Sequence, residues 1–210
     1  MRIKQTLKSW KEYSKMSDLG EIARRKFFNN CFDGALTTAG IISGFFIIFL
    51  AKSSKFIPQN VLIMGFATAL AIGISGLWGA FLSEEAERKK KVLDMKKEMA
   101  IMDEGPTTTT TTTTTLLERA EHFATIVASL VDGGAPVLGS SLPLIPFFFG
   151  ASLTIFHFIL SYIVLGGLLI YLGIFLGKIS GGGRVRYAIH LVAAGVVTLI
   201  VTLLLGQFTK

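Results

Sequence analysis

Two carboxylates stand apart from the other acidic residues of the sequence. The chain has 14 Asp and Glu residues, of which three lie near the N-terminus and nine lie in a charged segment in the middle of the chain. The remaining two, Asp33 and Asp132, lie at or inside long apolar stretches. An ionised carboxylate at the centre of a bilayer costs about 3 kcal/mol, so such a residue is a functional candidate. The alternative for each is a helix N-cap at the membrane surface.

The charged segment carries acidic residues at helical spacing. Glu84 and Glu87 are three residues apart, as are Glu118 and Glu121, and His122 follows Glu118 by four. These spacings place side chains on one helix face, and two such helices side by side would converge carboxylates and an imidazole on one cation. Such ligands suit iron(II), manganese(II) or zinc(II). The alternative is a solvated helix face with i,i+4 ion pairs.

Other residues with soft or titratable side chains have simpler interpretations. Met95, Met99 and Met102 form a stripe at helical spacing, for which ordinary packing is the preferred reading. His157 and His190 lie in apolar stretches without an acidic neighbour. We expect both histidines to form hydrogen bonds in helix packing.

Long apolar stretches must position these residues. About half of the 210 residues are hydrophobic, and runs of about 20 such residues can cross a hydrocarbon core about 30 Å thick. Pro143 and Pro146 should end or kink the third span, with a turn at Gly150 or Ser152. We predict an all-α polytopic membrane protein whose five transmembrane helices cover residues 34–51, 60–82, 123–149, 152–176 and 187–208.

Basic residues predict the orientation. Of the 21 Lys and Arg residues, 18 fall on one side of the predicted spans. Because cytoplasmic segments retain Lys and Arg, we expect a cytoplasmic N-terminus in a multi-pass protein of the cell membrane or an organellar membrane. The basic residues that give the chain its net charge of +7 border the spans and form no single basic face. The lipid bilayer therefore explains it better than a nucleic-acid partner does.

The chain divides into four predicted parts. Within the third part, residues 84–102 are strong helix formers that should continue the second span as one long helix. Gly105 and Pro106 should end it, Thr107–Thr115 is predicted to be a linker, and Leu116 should begin the helix that leads into the third span. The parts are an amphipathic cytoplasmic segment (1–32), a first transmembrane hairpin (33–82), a short cytoplasmic metal-binding-like helical insert (83–122) and helices three to five (123–208).

The pattern of motifs resembles the vacuolar iron transporter family over roughly residues 30–180. The resemblance is carried by Asp33-Gly34, Ile74-Ser75 with Gly79 and Phe81-Leu82, the segment Ser83–Arg88, Leu138-Gly139 and the segment Leu142–Pro146. It implies five spans, an inside N-terminus, a homodimer, and export of iron(II) or manganese(II) from the cytosol, typically against protons.

The resemblance also implies roles for particular acids. Asp33 would be the translocation carboxylate, and Glu84, Glu87, Glu118 and Glu121 would be capture ligands in a cytoplasmic helical domain.

Two positions depart from the family's pattern. Gly76 stands where methionine is usual, and Thr68 stands where glutamate is frequent. Asp132 is followed by a glycine seven residues later, as Asp33 is, and two duplicated hairpins would explain this repeat. We hypothesise that Asp132 replaces the missing acid.

The sequence therefore predicts a transporter that exports a divalent metal ion from the cytosol and holds no permanent cofactor. Whether the transport is coupled to protons is left open. Iron(II), manganese(II) or zinc(II) would be its cargo. One alternative is a non-transporting, ferritin-like membrane metal sensor or scaffold. An enzyme is not expected, because a lipid head-group transferase would need further Asp and an Arg after Asp33, and none precedes Lys52.

Overall fold

The computed structural model describes residues 19–51, 57–102 and 116–208. Within these residues the chain forms five α-helices and one 3-10 helix, and no β-strand. The elements are α1 (Leu19–Leu50), α2 (Pro58–Met102), α3 (Leu116–Ser141), the 3-10 helix Leu142–Phe148, α4 (Ile155–Ile179) and α5 (Arg184–Phe208).

Each of these α-helices contains a stretch that is long and apolar enough to cross a membrane. A helix satisfies its own backbone hydrogen bonds and is therefore stable in hydrocarbon. Large apolar side chains are exposed along all five helices, which suits lipid surroundings and not water. Examples from α1 to α5 are Ile48, Ile63, Leu130, Ile163 and Val196. The chain is an all-α, multi-pass integral membrane protein, and the predicted fold class is confirmed.

Two helices extend well beyond the predicted spans. α1 begins at Leu19 and not at Gly34, because its charged first half contains no proline that would prevent a helix. α2 runs from Pro58 to Met102 as one helix, which confirms the predicted continuation of the second span. Asp33 and Asp132 both lie inside helices, so the interpretation of either residue as an N-cap is wrong.

Prolines and a glycine build the connection between α3 and α4, as predicted. α3 passes into a 3-10 helix that contains Pro143 and Pro146. Gly150 then has a φ of 107°, a left-handed conformation that glycine adopts without strain. α4 begins after Thr154, whose hydroxyl oxygen lies 2.7 Å from Nδ1 of His157.

The chain consists of two compact units. Of the described residues, unit 1 comprises 19–26, 75–102 and 116–133, and unit 2 comprises 27–51, 57–74 and 134–208. The apolar centre of unit 1 contains the buried side chains of Leu19, Ala124 and Ala128.

Unit 2 has two clusters of buried apolar side chains. Glycines allow its helices to approach closely, because a Cβ on Gly34 would overlap the backbone of Pro136 and a Cβ on Gly139 would overlap the carbonyl group of Cys31. Small residues serve this purpose in membrane helices generally. The clusters include Ala35, Ala39, Leu165, Leu169 and Leu172 in one, and Ile42, Val61, Leu144, Phe147 and Phe158 in the other.

Candidate functional site

In unit 1, α2 and α3 run antiparallel and their backbones approach closely. A Cβ built on Gly76 would lie 3.1 Å from the carbonyl oxygen of Asp132. About three turns further along α2, Arg88 forms an ion pair with Glu121, which precedes Asp132 in α3. At about 1.5 Å per residue, the two contacts are roughly 18 Å apart along the helices. Gly76 therefore permits an approach that a larger side chain would obstruct.

The ammonium group of Lys26 joins α1 to both of these helices. Its Nζ lies 3.0 Å from Oδ2 of Asp132 on α3 and 3.4 Å from Oε1 of Glu84 on α2. The three side chains are 22, 18 and 16% exposed, respectively. An ammonium group has three donors and no acceptor, so it can serve two carboxylates at once. The two acids thus bind a cation that the chain itself supplies.

Arg88 continues the ion pairs from Glu84 to Glu121. Its Nε donates a hydrogen bond of 3.0 Å to Oε2 of Glu84, and its Nη1 pairs with Oε2 of Glu121. Nζ of Lys91 lies 3.1 Å from Oε1 of Glu121. The resulting series of contacts is called the charge network below. Its members are Lys26, Glu84, Arg88, Lys91, Glu121 and Asp132.

Burial and charge balance determine what the charge network can do. The side chain of Glu121 is 3% exposed and that of Arg88 is 11% exposed. A buried charge without a partner is strongly destabilising, so these two groups depend on each other. The named members comprise three carboxylates and three basic groups, and their formal charges sum to zero. A metal ion that bound these carboxylates would compete with the basic side chains that are paired with them.

The predicted ligands of the charged segment are distributed differently from expectation. Glu84 and Glu121 both contact the guanidinium group of Arg88. Glu87 and His122 are exposed, and His122 lines a cavity between α2 and α3. The convergence of two helices on one cation is therefore observed for the two glutamates, but the cation is an arginine.

Asp33 lies in unit 2 and is exposed, and its backbone carbonyl accepts a 2.9 Å hydrogen bond from Oγ1 of Thr37. Within residues 19–51, 57–102 and 116–208, no group of three His, Cys, Asp or Glu side chains is arranged to hold a metal ion. The metal ligands stay a prediction. The following lie outside the described residues or side chains: the amphipathic segment 1–18, the linker Thr107–Thr115, and the side chains of Met95, Met99, Met102 and Glu118.

The basic half of the charge network was not predicted. The alternative of i,i+4 ion pairs applies to Glu84 and Arg88 within the network, and to Glu85 and Lys89 outside it, at 2.6 Å. Lys26 contributed to the sequence analysis only through the charge bias that predicts orientation. No local pattern links it to a carboxylate 106 residues away.

Both histidines of the apolar stretches form hydrogen bonds, as predicted. His157 is 7% exposed, and its Nε2 bonds to the carbonyl oxygen of Phe149. Nδ1 of His190 lies 2.7 Å from the carbonyl oxygen of Arg186. These contacts fix the histidine rings to the backbone of loop and helix.

The fold and the charge network define a class of protein, a multi-pass α-helical membrane protein with ion pairs among three of its helices. No protein-family model matches the sequence. The chain is similar to an uncharacterized protein of Methanocaldococcus jannaschii, with 24% identity over 188 residues, which is 90% of this chain and 91% of that protein. The similarity therefore extends over most of both chains and brings no assigned activity with it.

Proposed function

We propose that the chain transports a divalent metal cation, iron(II) or manganese(II), across its membrane. The observation that carries the proposal is the sharing of the Lys26 ammonium group by Asp132 and Glu84. Glu84 is the first charged residue after the apolar run of α2, and Asp132 lies within the apolar stretch of α3. Carboxylates at such positions are expensive and usually functional, and their oxygen atoms suit these two metals.

The close approach of the α2 backbone at Gly76 to the α3 backbone at Asp132 supports the same proposal. A methionine at position 76, as the resemblance implies, would place its Cβ 3.1 Å from the carbonyl oxygen of Asp132, which is tighter than most Cβ contacts. The glycine makes room for α3 and brings an acidic residue to this level of α2. We therefore propose that Asp132 acts in place of the acid that is missing at Thr68.

In the proposed transport cycle, the metal ion displaces Lys26 from Asp132 and Glu84. Asp33 on α1, at the start of the first apolar stretch, acts at another step of the path. Exchange against protons is consistent with acids in low-dielectric surroundings, which can trade a proton for a cation. A cytoplasmic N-terminus, export from the cytosol and a homodimer complete the proposal.

Uptake of Mn²⁺ by vesicles that contain the full chain tests this function. We expect flux above that of protein-free vesicles, and a loss of about tenfold or more, equivalent to ~1.4 kcal/mol, in Asp132→Asn and in Asp33→Asn. Asp94→Asn is the matched control, because Asp94 is an exposed acid of α2 outside the charge network. Its flux should equal that of the wild type.

The result also separates the proposal from its alternative. Tight Mn²⁺ binding without flux in the wild type would favour a metal sensor. Neither binding nor flux in the wild type would reject the metal function altogether. Wild-type flux in Asp132→Asn would remove Asp132 from the path.

A further inference from the structure

Unit 1 contains a cavity of about 740 Å³ between α2 and α3, beside the charge network. Pockets of roughly 300–1,000 Å³ hold organic molecules of moderate size. The volume is far larger than a metal ion and its ligands require. The cavity is therefore a site of a different kind from the acids that share Lys26.

The charged side chains that line the cavity carry a net charge of +1 when the histidine is neutral. Arg88, Lys89 and Arg119 line it together with His122. The lining acids are Glu85 and Glu121, and both are already held by ion pairs to Lys89 and Arg88, respectively. An anion of low charge complements this surface, whereas a second cation does not.

Apolar side chains form the rest of the wall. Phe123 and Ile126 lie at the start of the apolar run of α3, and Val92 and Leu93 line the cavity from α2. Ile126 is 40% exposed and Leu93 is 56% exposed. The basic groups thus lie where charged sequence gives way to a membrane span, which is where lipid head groups are found.

We propose that this cavity binds an anionic phospholipid. The phosphate group lies beside Arg119 and His122, and the glycerol and first methylene groups lie along Phe123 and Ile126. Basic pockets between transmembrane helices suit such head groups. A soluble phosphate compound would leave the apolar wall uncovered, so the lipid is the occupant that fits both surfaces. The inference does not depend on the proposed metal transport.

Native mass spectrometry of the full chain in detergent tests the lipid site. Phosphatidylglycerol is titrated into the protein, with phosphatidylcholine and soluble glycerol phosphate in parallel arms. We expect one phosphatidylglycerol to be retained in preference to phosphatidylcholine. Arg119→Gln should weaken retention about fivefold, which corresponds to ~1 kcal/mol per basic residue near an anionic lipid surface, while Arg119→Lys should retain most of the affinity.

Two further variants separate the cavity from general charge effects. Leu93→Trp fills part of the cavity without a change in charge and should also weaken retention. Lys90→Gln removes a charge from an exposed position of α2 that does not line the cavity, and should bind as the wild type does.

Several outcomes would overturn the lipid site. These are equal retention of phosphatidylcholine, an unchanged affinity in both Arg119→Gln and Leu93→Trp, or an equal loss in Lys90→Gln. Competition by glycerol phosphate at the concentrations that suffice for phosphatidylglycerol would show a soluble anion site and would likewise overturn it.

Discussion

Replacement of Lys26 by methionine should make the acids of α2 and α3 available to a metal ion. The substitution keeps the length of the side chain and removes the ammonium group that Asp132 and Glu84 share. The two carboxylates then lie close to each other without the cation that compensates them. Mn²⁺ should bind more tightly, because it no longer competes with a tethered cation.

The magnitude follows from the geometry of the two ion pairs. Opposite charges 4 Å apart attract by roughly 4 kcal/mol at an effective dielectric constant of 20, whereas fully exposed pairs contribute only about 0.2–1 kcal/mol. Lys26 makes its two contacts at 3.0 and 3.4 Å. We expect their interaction energies to lie between these limits, because the side chains are 16–22% exposed. We expect the ammonium group of Lys26 to oppose Mn²⁺ binding by ~1–2 kcal/mol. Its removal should therefore lower the dissociation constant of Mn²⁺ about 5- to 30-fold.

Isothermal titration of Mn²⁺ into the purified full chain measures this constant. Lys90→Met removes the same charge from an exposed position of α2 and should leave the constant unchanged. Lys26→Arg keeps the charge and should behave as the wild type does. The reasoning is refuted by an unchanged or weaker affinity in Lys26→Met, by an equal gain in Lys90→Met, or by a gain that persists after Asp132→Asn is added.

Three further predictions concern stability and are measured by thermal unfolding of the full chain in detergent. Glu121→Gln breaks a buried ion pair and should cost about 3–5 kcal/mol, whereas Glu85→Gln, in a more exposed pair, should cost less than about 1 kcal/mol; equal losses would contradict the assigned burial. Gly139→Ala should destabilise the chain by about 1–3 kcal/mol, because its Cβ would overlap the backbone of Cys31. A Cβ at Gly166 would have no neighbour within 4 Å, so Gly166→Ala should not lower the unfolding temperature. His157→Ala removes both the bond to the loop and the cap of α4 and should cost about 1–2 kcal/mol; an unchanged unfolding temperature would show that these bonds contribute nothing.

The apolar spans could be predicted from the sequence because a bilayer core admits helices of about 20 mostly apolar residues, whose backbone hydrogen bonds are satisfied internally. The helix ends were harder to predict. Hydropathy places the start of the first span at Gly34. Arg24, Arg25 and Lys26 are good helix formers, however, and α1 includes them. In α2 the same propensity was recognised after Glu84, and the predicted long helix is confirmed. Hydropathy locates a membrane crossing, while propensity decides how far its helix continues.

The candidate site was predictable only where it depends on spacing within one helix. The pair of Glu84 and Arg88 follows from their separation of four residues. The contact of Lys26 with Asp132 depends on how three helices pack, and Gly76 leaves room for the backbone of Asp132. Small residues in a span predict close helix packing, but a single sequence does not say which helix they admit. Asp132 and Glu121 were selected for metal binding, but both have basic partners on other helices, which no local pattern connects to them.

The exposure of its members makes the charge network unequally sensitive to ionic strength. The side chain of Lys91 is 58% exposed, while Arg88 is 11% and Glu121 is 3% exposed. Dissolved ions screen exposed charges over about 10 Å at 0.1 M salt and act much less on buried pairs. Concentrated salt therefore weakens the contact of Lys91 with Glu121 first and leaves Arg88 in place. We therefore expect the ionic strength of the solution to change the number of basic groups paired with Glu121.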